Sequence, residues 1–148
     1  MTPPVRIVNF HEAALRHLAD AKLLESNKRL PNAGYLYGYA AECGLKFLLV
    51  AHEYPTDSEG SPAKSDKFRS HIDRMVITNT FTTLGNYLNS RSGAKYLAMI
   101  PNIGDFSDWH VGHRYFTASA LPDSFSRWQA AAHQVGRMLD QARIDGKI

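Results

Sequence analysis

The sequence predicts an all-α domain, an antiparallel up-and-down four-helix bundle with one or two short helices beside it. Three observations predict it. Apolar residues recur at intervals of three and four over long stretches, the period of a helix face. No alternating apolar–polar pattern competes for a strand. Pro31, Pro55, Pro101 and Pro122 fall between the periodic stretches, where helices end. At 148 residues the chain is one domain, 1–148, long enough to bury roughly two-thirds of its unfolded surface.

The first helix starts at Asn9, where Asn9-Phe-His-Glu12 reads as an N-cap with a glutamate three residues on. Phe10, Ala14, Leu15, Leu18 and Ala21 follow at helical spacing, and the helix ends near 27–29, ahead of Pro31. Asn32 is the expected cap of the second helix, which runs from Ala33 to Glu53. Tyr35, Leu36, Tyr39, Ala40, Cys43, Phe47 and Val50 form its apolar face, widened by Leu45, Leu48 and Leu49. A helix apolar over most of its girth belongs in the middle of a bundle. Gly38 with Ala40-Ala41 lets a neighbouring helix approach closely.

Residues 55–66 are a loop by composition and a place for a flexible flap. Lys67 to Leu88 is a third helical stretch, weakened by the β-branched Ile77, Thr78, Thr80, Thr82 and Thr83. Gly93 to Ile100 is a short helix closed by Pro101. Residues 102–122 are mostly loop. The last helix begins at Asp123 or Ser124 and ends near Asp145, before Gly146. Phe125, Trp128, Ala132, Val135, Leu139 and Ala142 make its apolar stripe.

Composition narrows the function classes. One cysteine, Cys43, excludes an internal disulfide and a structural zinc site of several cysteines. Seventeen Lys and Arg against fourteen Asp and Glu give a mildly basic chain, compatible with nucleic acid without demanding it. No apolar run spans a membrane, and Met1-Thr-Pro-Pro-Val-Arg lacks the apolar core of a signal peptide, so a cytoplasmic protein is expected.

Three constellations carry candidate chemistry. Glu42 sits in a strongly apolar helix, four residues before Lys46. Either the two form a partly exposed ion pair, or Glu42 aims at a basic group across the bundle and orders a site. Asp105, Asp108, His110 and His113 lie close in sequence. His-x-x-His on a loop lacks the helical spacing of zinc hydrolases, and no metal is expected. The alternative is an ordered connection in which Trp109 and Tyr115 plug the core and Arg114 bonds a buried carboxylate, Glu42. Arg127 and His133 are six apart on the last helix, so their side chains diverge by about 120°. They converge only if Arg127 lies in a distorted first turn or a partner chain closes the gap. Otherwise they are two solvated residues. His71 is expected to cap or pair locally. Phe47, Trp128 and Tyr39 are expected in the core, with Cys43 an inert small hydrophobe.

The stretch Asn32-Ala-Gly-Tyr-Leu-Tyr-Gly-Tyr-Ala-Ala-Glu-Cys-Gly-Leu-Lys-Phe-Leu-Leu-Val50 resembles the second helix of the HEPN superfamily, above all in its Ala-Glu-x-x-Leu-Lys core. Ala14 to Leu24 is similar to that family's first helix. His71-Ile-Asp resembles the opening of its third, and Asp108-Trp-His-Val-Gly-His-Arg-Tyr115 the segment before its last. The resemblance covers residues 9 to 145. It implies a four-helix bundle, commonly a homodimer, and for many members a metal-independent endoribonuclease of toxin–antitoxin or defence systems. The family signature, an Arg followed by a His after four to six residues, falls on Arg127 and His133. The residue after Arg127 is Trp128, where the family usually has a small polar one. On this reading His133 takes the proton of a ribose 2′-OH, Arg127 with Arg114 stabilises the phosphorane, and Glu42 orients one of them, leaving 2′,3′-cyclic phosphate ends. No cofactor is called for. RNA or a nucleotide meets Arg114, Tyr115 and Lys46. The alternative is a non-catalytic nucleotide- or protein-binding module acting with a nucleotidyltransferase or another partner.

Overall fold

The first helix, α1 (Phe10–Ser26), begins where the Asn9 side chain accepts the Glu12 N–H at 2.9 Å. This satisfies one of the orphan donors of a helix N-terminus. The computed structural model describes residues 6–148. Met1 to Val5, on which most of the leader reading fell, lie outside the described residues. Among the described residues there are six α-helices joined by turns and short 3₁₀ segments, with no strand, so the chain is all-α.

Helix α1 ends in a Schellman turn. The Lys28 N–H bonds Glu25 O at 2.9 Å and the Arg29 N–H bonds Leu24 O at 2.8 Å, with Lys28 in the left-handed region at φ 61°. The chain reverses at once into α2 (Leu30–Ala51). Asn32 is therefore not the cap. Pro31 occupies the first turn, where its missing N–H costs nothing and its fixed φ suits the helix. A second Schellman turn closes α2, with Glu53 at φ 66° and the Tyr54 N–H on Leu49 O at 3.0 Å.

Every residue of α2 from Ala40 to Leu49 is buried, so this helix forms the axis of the core. Helix α1 lies along it, and the last helix packs on both. The expected close approach at Gly38 is made by a side chain instead of a helix. A Cβ at Gly38 would sit 2.1 Å from Trp109 Nε1, so glycine makes the slot for that indole. The helix–helix approach falls at Gly44, where a Cβ would meet Val135 at 2.3 Å.

Residues 55–66 form turns without a helix. The Asp57 carboxylate accepts the Glu59 and Ser61 N–H groups, and the Val8 N–H bonds Glu59 O at 3.0 Å. The third predicted stretch is broken into three: a 3₁₀ turn over Lys67–Arg69, α3 (Ile72–Met75) and α4 (Thr78–Asn89). Helix α5 (Ala94–Leu97) is short, as expected. Three 3₁₀ turns follow, and α6 (Phe125–Ile144) closes the chain at Gly146. Among the described residues no helix is long and apolar enough to cross a membrane.

Candidate functional site

Glu42 projects from the middle of α2 and is 6% exposed. A carboxylate so placed is costly unless it is bonded. It has three partners. Oε2 accepts from Lys46 Nζ at 3.2 Å, one turn on. Oε1 lies 3.0 Å from His71 Nδ1 and accepts the Ile72 N–H at 3.0 Å. The pair foreseen on α2 is thus buried, and the same carboxylate also reaches a basic group on another element. Its partner there is His71, whereas Arg114 makes no bond to it.

The sequence explains the geometry locally. His71 is the residue before α3, in extended backbone, and lacks a side-chain cap bond of its own. Glu42 supplies the acceptor for the first orphan N–H of that turn from outside. Lys46, itself 5% exposed, also donates to Arg69 O at 3.3 Å. Lys46 therefore stands behind the site and is not open to a substrate.

The His71 ring is half-buried. It lies edge-on to Tyr39, with 5.9 Å between centroids, and 6.3 Å from Trp109. The hydrogen bond to Glu42 holds its pKa above the ordinary 6.5, against the opposing effect of burial. Nδ1 is engaged by the carboxylate, and the side chain as a whole is 43% exposed. A second imidazole, His17 of α1, packs on the same Tyr39 ring at 5.7 Å. Burial and then the neighbouring Arg16 charge push its pKa down. Two histidines thus share one tyrosine in environments that separate their protonation.

Aromatic groups frame this face. Trp109 is fully buried, stacks on Tyr35 at 5.4 Å and donates from Nε1 to Tyr35 O at 3.2 Å. The Tyr35 hydroxyl bonds Val111 O, and it lies 3.2 Å from the Tyr39 hydroxyl. Trp109 plugs the core as expected. Tyr115 does not: it is 78% exposed, with the Arg114 guanidinium over its ring at 4.9 Å. Phe116 beside it is 50% exposed.

Arg127 and His133 are not brought together. Arg127 is exposed in the first turn of α6, where it donates to Ser124 Oγ at 2.7 Å and lies 3.8 Å from Asp108 Oδ2. His133 is half-buried, edge-on to Tyr37 at 5.7 Å, in a cleft between α1 and α6. The Asp108 carboxylate serves the start of α6, accepting from Trp128 Nε1 at 2.9 Å and bonding Ser124. His110 and His113 form a reciprocal cap: His110 Nδ1 accepts the Gly112 N–H, and His113 Nδ1 accepts the His110 N–H. Among the described residues no three His, Cys, Asp or Glu side chains are grouped to hold a metal ion. Burial, reinforced by Glu42, pushes the Cys43 thiol up to about 12.

Sequence reasoning picked out Glu42 and left His71 to cap or pair locally, without joining the two. The signal that joins them is the polar residue on an apolar helix, which demands a partner from elsewhere. His17 carried no such mark. Compared with known proteins, the chain matches no family model, no curated protein and no solved structure.

Proposed function

We propose that this chain is a HEPN-like, metal-independent endoribonuclease whose acid–base groups are His71 and His17, with Glu42 as the positioning residue. The observation that carries the reading is the buried Glu42 carboxylate bonded to an imidazole whose side chain is 43% exposed. Such a carboxylate fixes the ring's orientation and favours its protonated form. The second support is the opposite displacement of the two pKa values on one tyrosine.

The chemistry follows from those displacements. His17, neutral at pH 7, takes the proton of a ribose 2′-OH. The 2′ oxygen bonds to phosphorus while the bond to the 5′ oxygen breaks. His71 in its imidazolium form gives the leaving 5′ oxygen its proton. Arg114, which neighbours Tyr35 and Tyr115, faces the charge that grows on the phosphorane. Exposed Tyr115 and Phe116 offer π-faces on which unpaired bases stack. The products are a 2′,3′-cyclic phosphate and a 5′-hydroxyl. In this assignment His133 and Arg127 have no role in the proton transfers.

The same exposed Tyr115 and Phe116 favour a second reading, a non-catalytic module that binds a nucleotide or a partner protein there. One experiment separates the two. End-labelled total RNA is incubated in EDTA with the wild type and with His71→Gln, His17→Gln, His133→Gln and Tyr115→Ala. Cyclic phosphate ends lost in His71→Gln and His17→Gln, and kept in His133→Gln, support the proposal. No cleavage by folded wild type moves the assignment to the binding module. Cleavage lost only in His133→Gln overturns the site.

A further inference from the structure

The segment from Trp109 to Phe116 packs against α2 and is fastened there by different kinds of bond. Trp109, buried in its slot, donates to Tyr35 O at 3.2 Å. The Tyr35 hydroxyl donates to Val111 O at 3.2 Å. The remaining fastening is a pair of imidazoles. His110 Nδ1 accepts the Gly112 N–H at 2.9 Å, and His113 Nδ1 accepts the His110 N–H at 3.3 Å. These two bonds close the 3₁₀ turn Val111–Tyr115 on itself. The turn carries Arg114 and Tyr115, and the Phe116 ring lies 5.2 Å from that of His113.

Both bonds use a ring lone pair, so each imidazole must carry its proton on Nε2. An imidazolium has no lone pair. A ring that takes a second proton therefore loses its bond and turns one N–H towards another. The other fastenings involve no imidazole. Around the pair stand Tyr35 on α2, Asp73 on α3, Asp108 in the preceding turn, Arg114 and Tyr115 in the turn itself, and Arg127 on α6, 3.8 Å from Asp108. The two carboxylates favour an imidazolium at His113. Burial, and then the His110 charge, oppose it and prevail, holding the His113 pKa below 6.5. The His113 ring stacks on Trp128 at 5.9 Å. That face holds an imidazolium as readily as an imidazole, so the acid sensitivity lies in the two bonds and not in the stack.

We propose that His110 and His113 form an acid-released clasp, which holds residues 110–116 on the bundle at neutral pH and frees them on mild acidification while the helices stay packed. Trp109, buried and bonded, is the fixed end of the moving segment. Release carries Arg114, Tyr115 and Phe116 away together and uncovers the face of Trp128 on which His113 lies. The closed form binds fewer protons than the open one, so it is favoured at neutral pH and lost as the pH falls. Closed, His113 cannot take the second proton; released, it titrates near the ordinary 6.5. Between about pH 7.5 and about pH 5 this ring alone shifts the balance towards the open form by up to about thirtyfold. Loss of the His110 bond acts in the same direction. The clasp shares no residue with the acid–base pair on Tyr39, and it stands whether or not the chain cleaves RNA.

NMR of the whole chain between about pH 7.5 and about pH 5, with RNA absent from every sample, tests it. Long-range proton–nitrogen correlation should show both rings protonated on Nε2 at the upper pH. Chemical shifts and relaxation dispersion at the His110 and Gly112 amides measure the open population, which should rise at least about tenfold across that range. The amides of Leu45 to Leu49, in the buried stretch of α2, should not respond. The double variant His110→Asn with His113→Asn puts a side-chain oxygen where each Nδ1 stands and leaves nothing to titrate there. Its turn should stay closed at the lower pH. A proton on Nδ1 of either ring at the upper pH overturns the proposal. So does an open population that ignores acid, or a double variant that opens as the wild type does. A response shared equally by Leu45 to Leu49 also overturns it, since that is acid unfolding of the bundle and not a local release.

Discussion

Removing the Glu42 carboxylate should be among the most damaging single changes to this fold. Glu42→Ala strips three bonds at once, to Lys46 Nζ, His71 Nδ1 and the Ile72 N–H. His71 is partly solvated and finds water. Lys46 is not, and its ammonium is left in a site 5% exposed. Breaking a buried ion pair by deleting one partner costs about 3–5 kcal/mol. Lys46 keeps Arg69 O at 3.3 Å and the Phe10 ring at 5.9 Å, which places the cost near the lower end, about 3 kcal/mol. With an unfolding entropy of about 2.1 cal/mol/K per residue, 148 residues lose roughly 10 °C of Tm. Calorimetry and urea unfolding at pH 7 measure it. The paired change Glu42→Leu with Lys46→Met removes both charges and should recover most of the loss, because an apolar pair of similar volume is close to neutral. A Tm loss under about 2 °C in Glu42→Ala, or a double variant no better than the single, would refute the reasoning.

Other consequences are independently measurable. Gly38→Ala drives a methyl into the Trp109 indole, so about 1 kcal/mol of helix propensity is outweighed by overpacking of about 1–3 kcal/mol. Urea midpoints and a red-shifted tryptophan emission should report it, and a stabilised variant would disprove the slot. In an NMR titration His71 should ionise above 6.5, and His17, His113 and His133 below it. The raised His71 stabilises the fold below its unfolded value of 6.5, an effect lost as pH rises through the folded value. The three lowered histidines do the reverse, and their stability is lost as pH falls below 6.5. Any RNA cleavage should follow a bell, rising through the His17 ionisation and falling through that of His71, and a profile flat from pH 5 to 8 would exclude the pair. Cys43 should resist a thiol reagent in the native state and react at once in urea.

Where the chain speaks through local chemistry, the sequence is legible. Asn9 caps α1 through its own side chain, and Gly146 takes the left-handed position after α6, each marked by residue type. The ends of α1 and α2 are less legible, because Lys28 and Glu53 occupy the left-handed position that glycine usually announces. Their strain is outweighed by two backbone bonds at each turn. Pro31 carries two meanings, a stop for the helix before it and a start for the one after. Only the packing of α2 decides between them. The start of α3 is a tertiary effect: Glu42, thirty residues away, takes the Ile72 N–H and fixes where the turn begins.

The candidate site was legible to the same extent and for the same reason. A lone carboxylate on a helix buried all round must find a partner, so Glu42 announces a site without naming the other half. Arg127 and His133 carried a pattern but no physical demand, and each finds a separate environment: one with Asp108 and Ser124, one with Tyr37. A spacing motif fixes residue types along the chain, whereas a burial cost must be met in space. Glu42 incurs such a cost and Arg127 does not. That difference is why the acid–base assignment follows the carboxylate to His71.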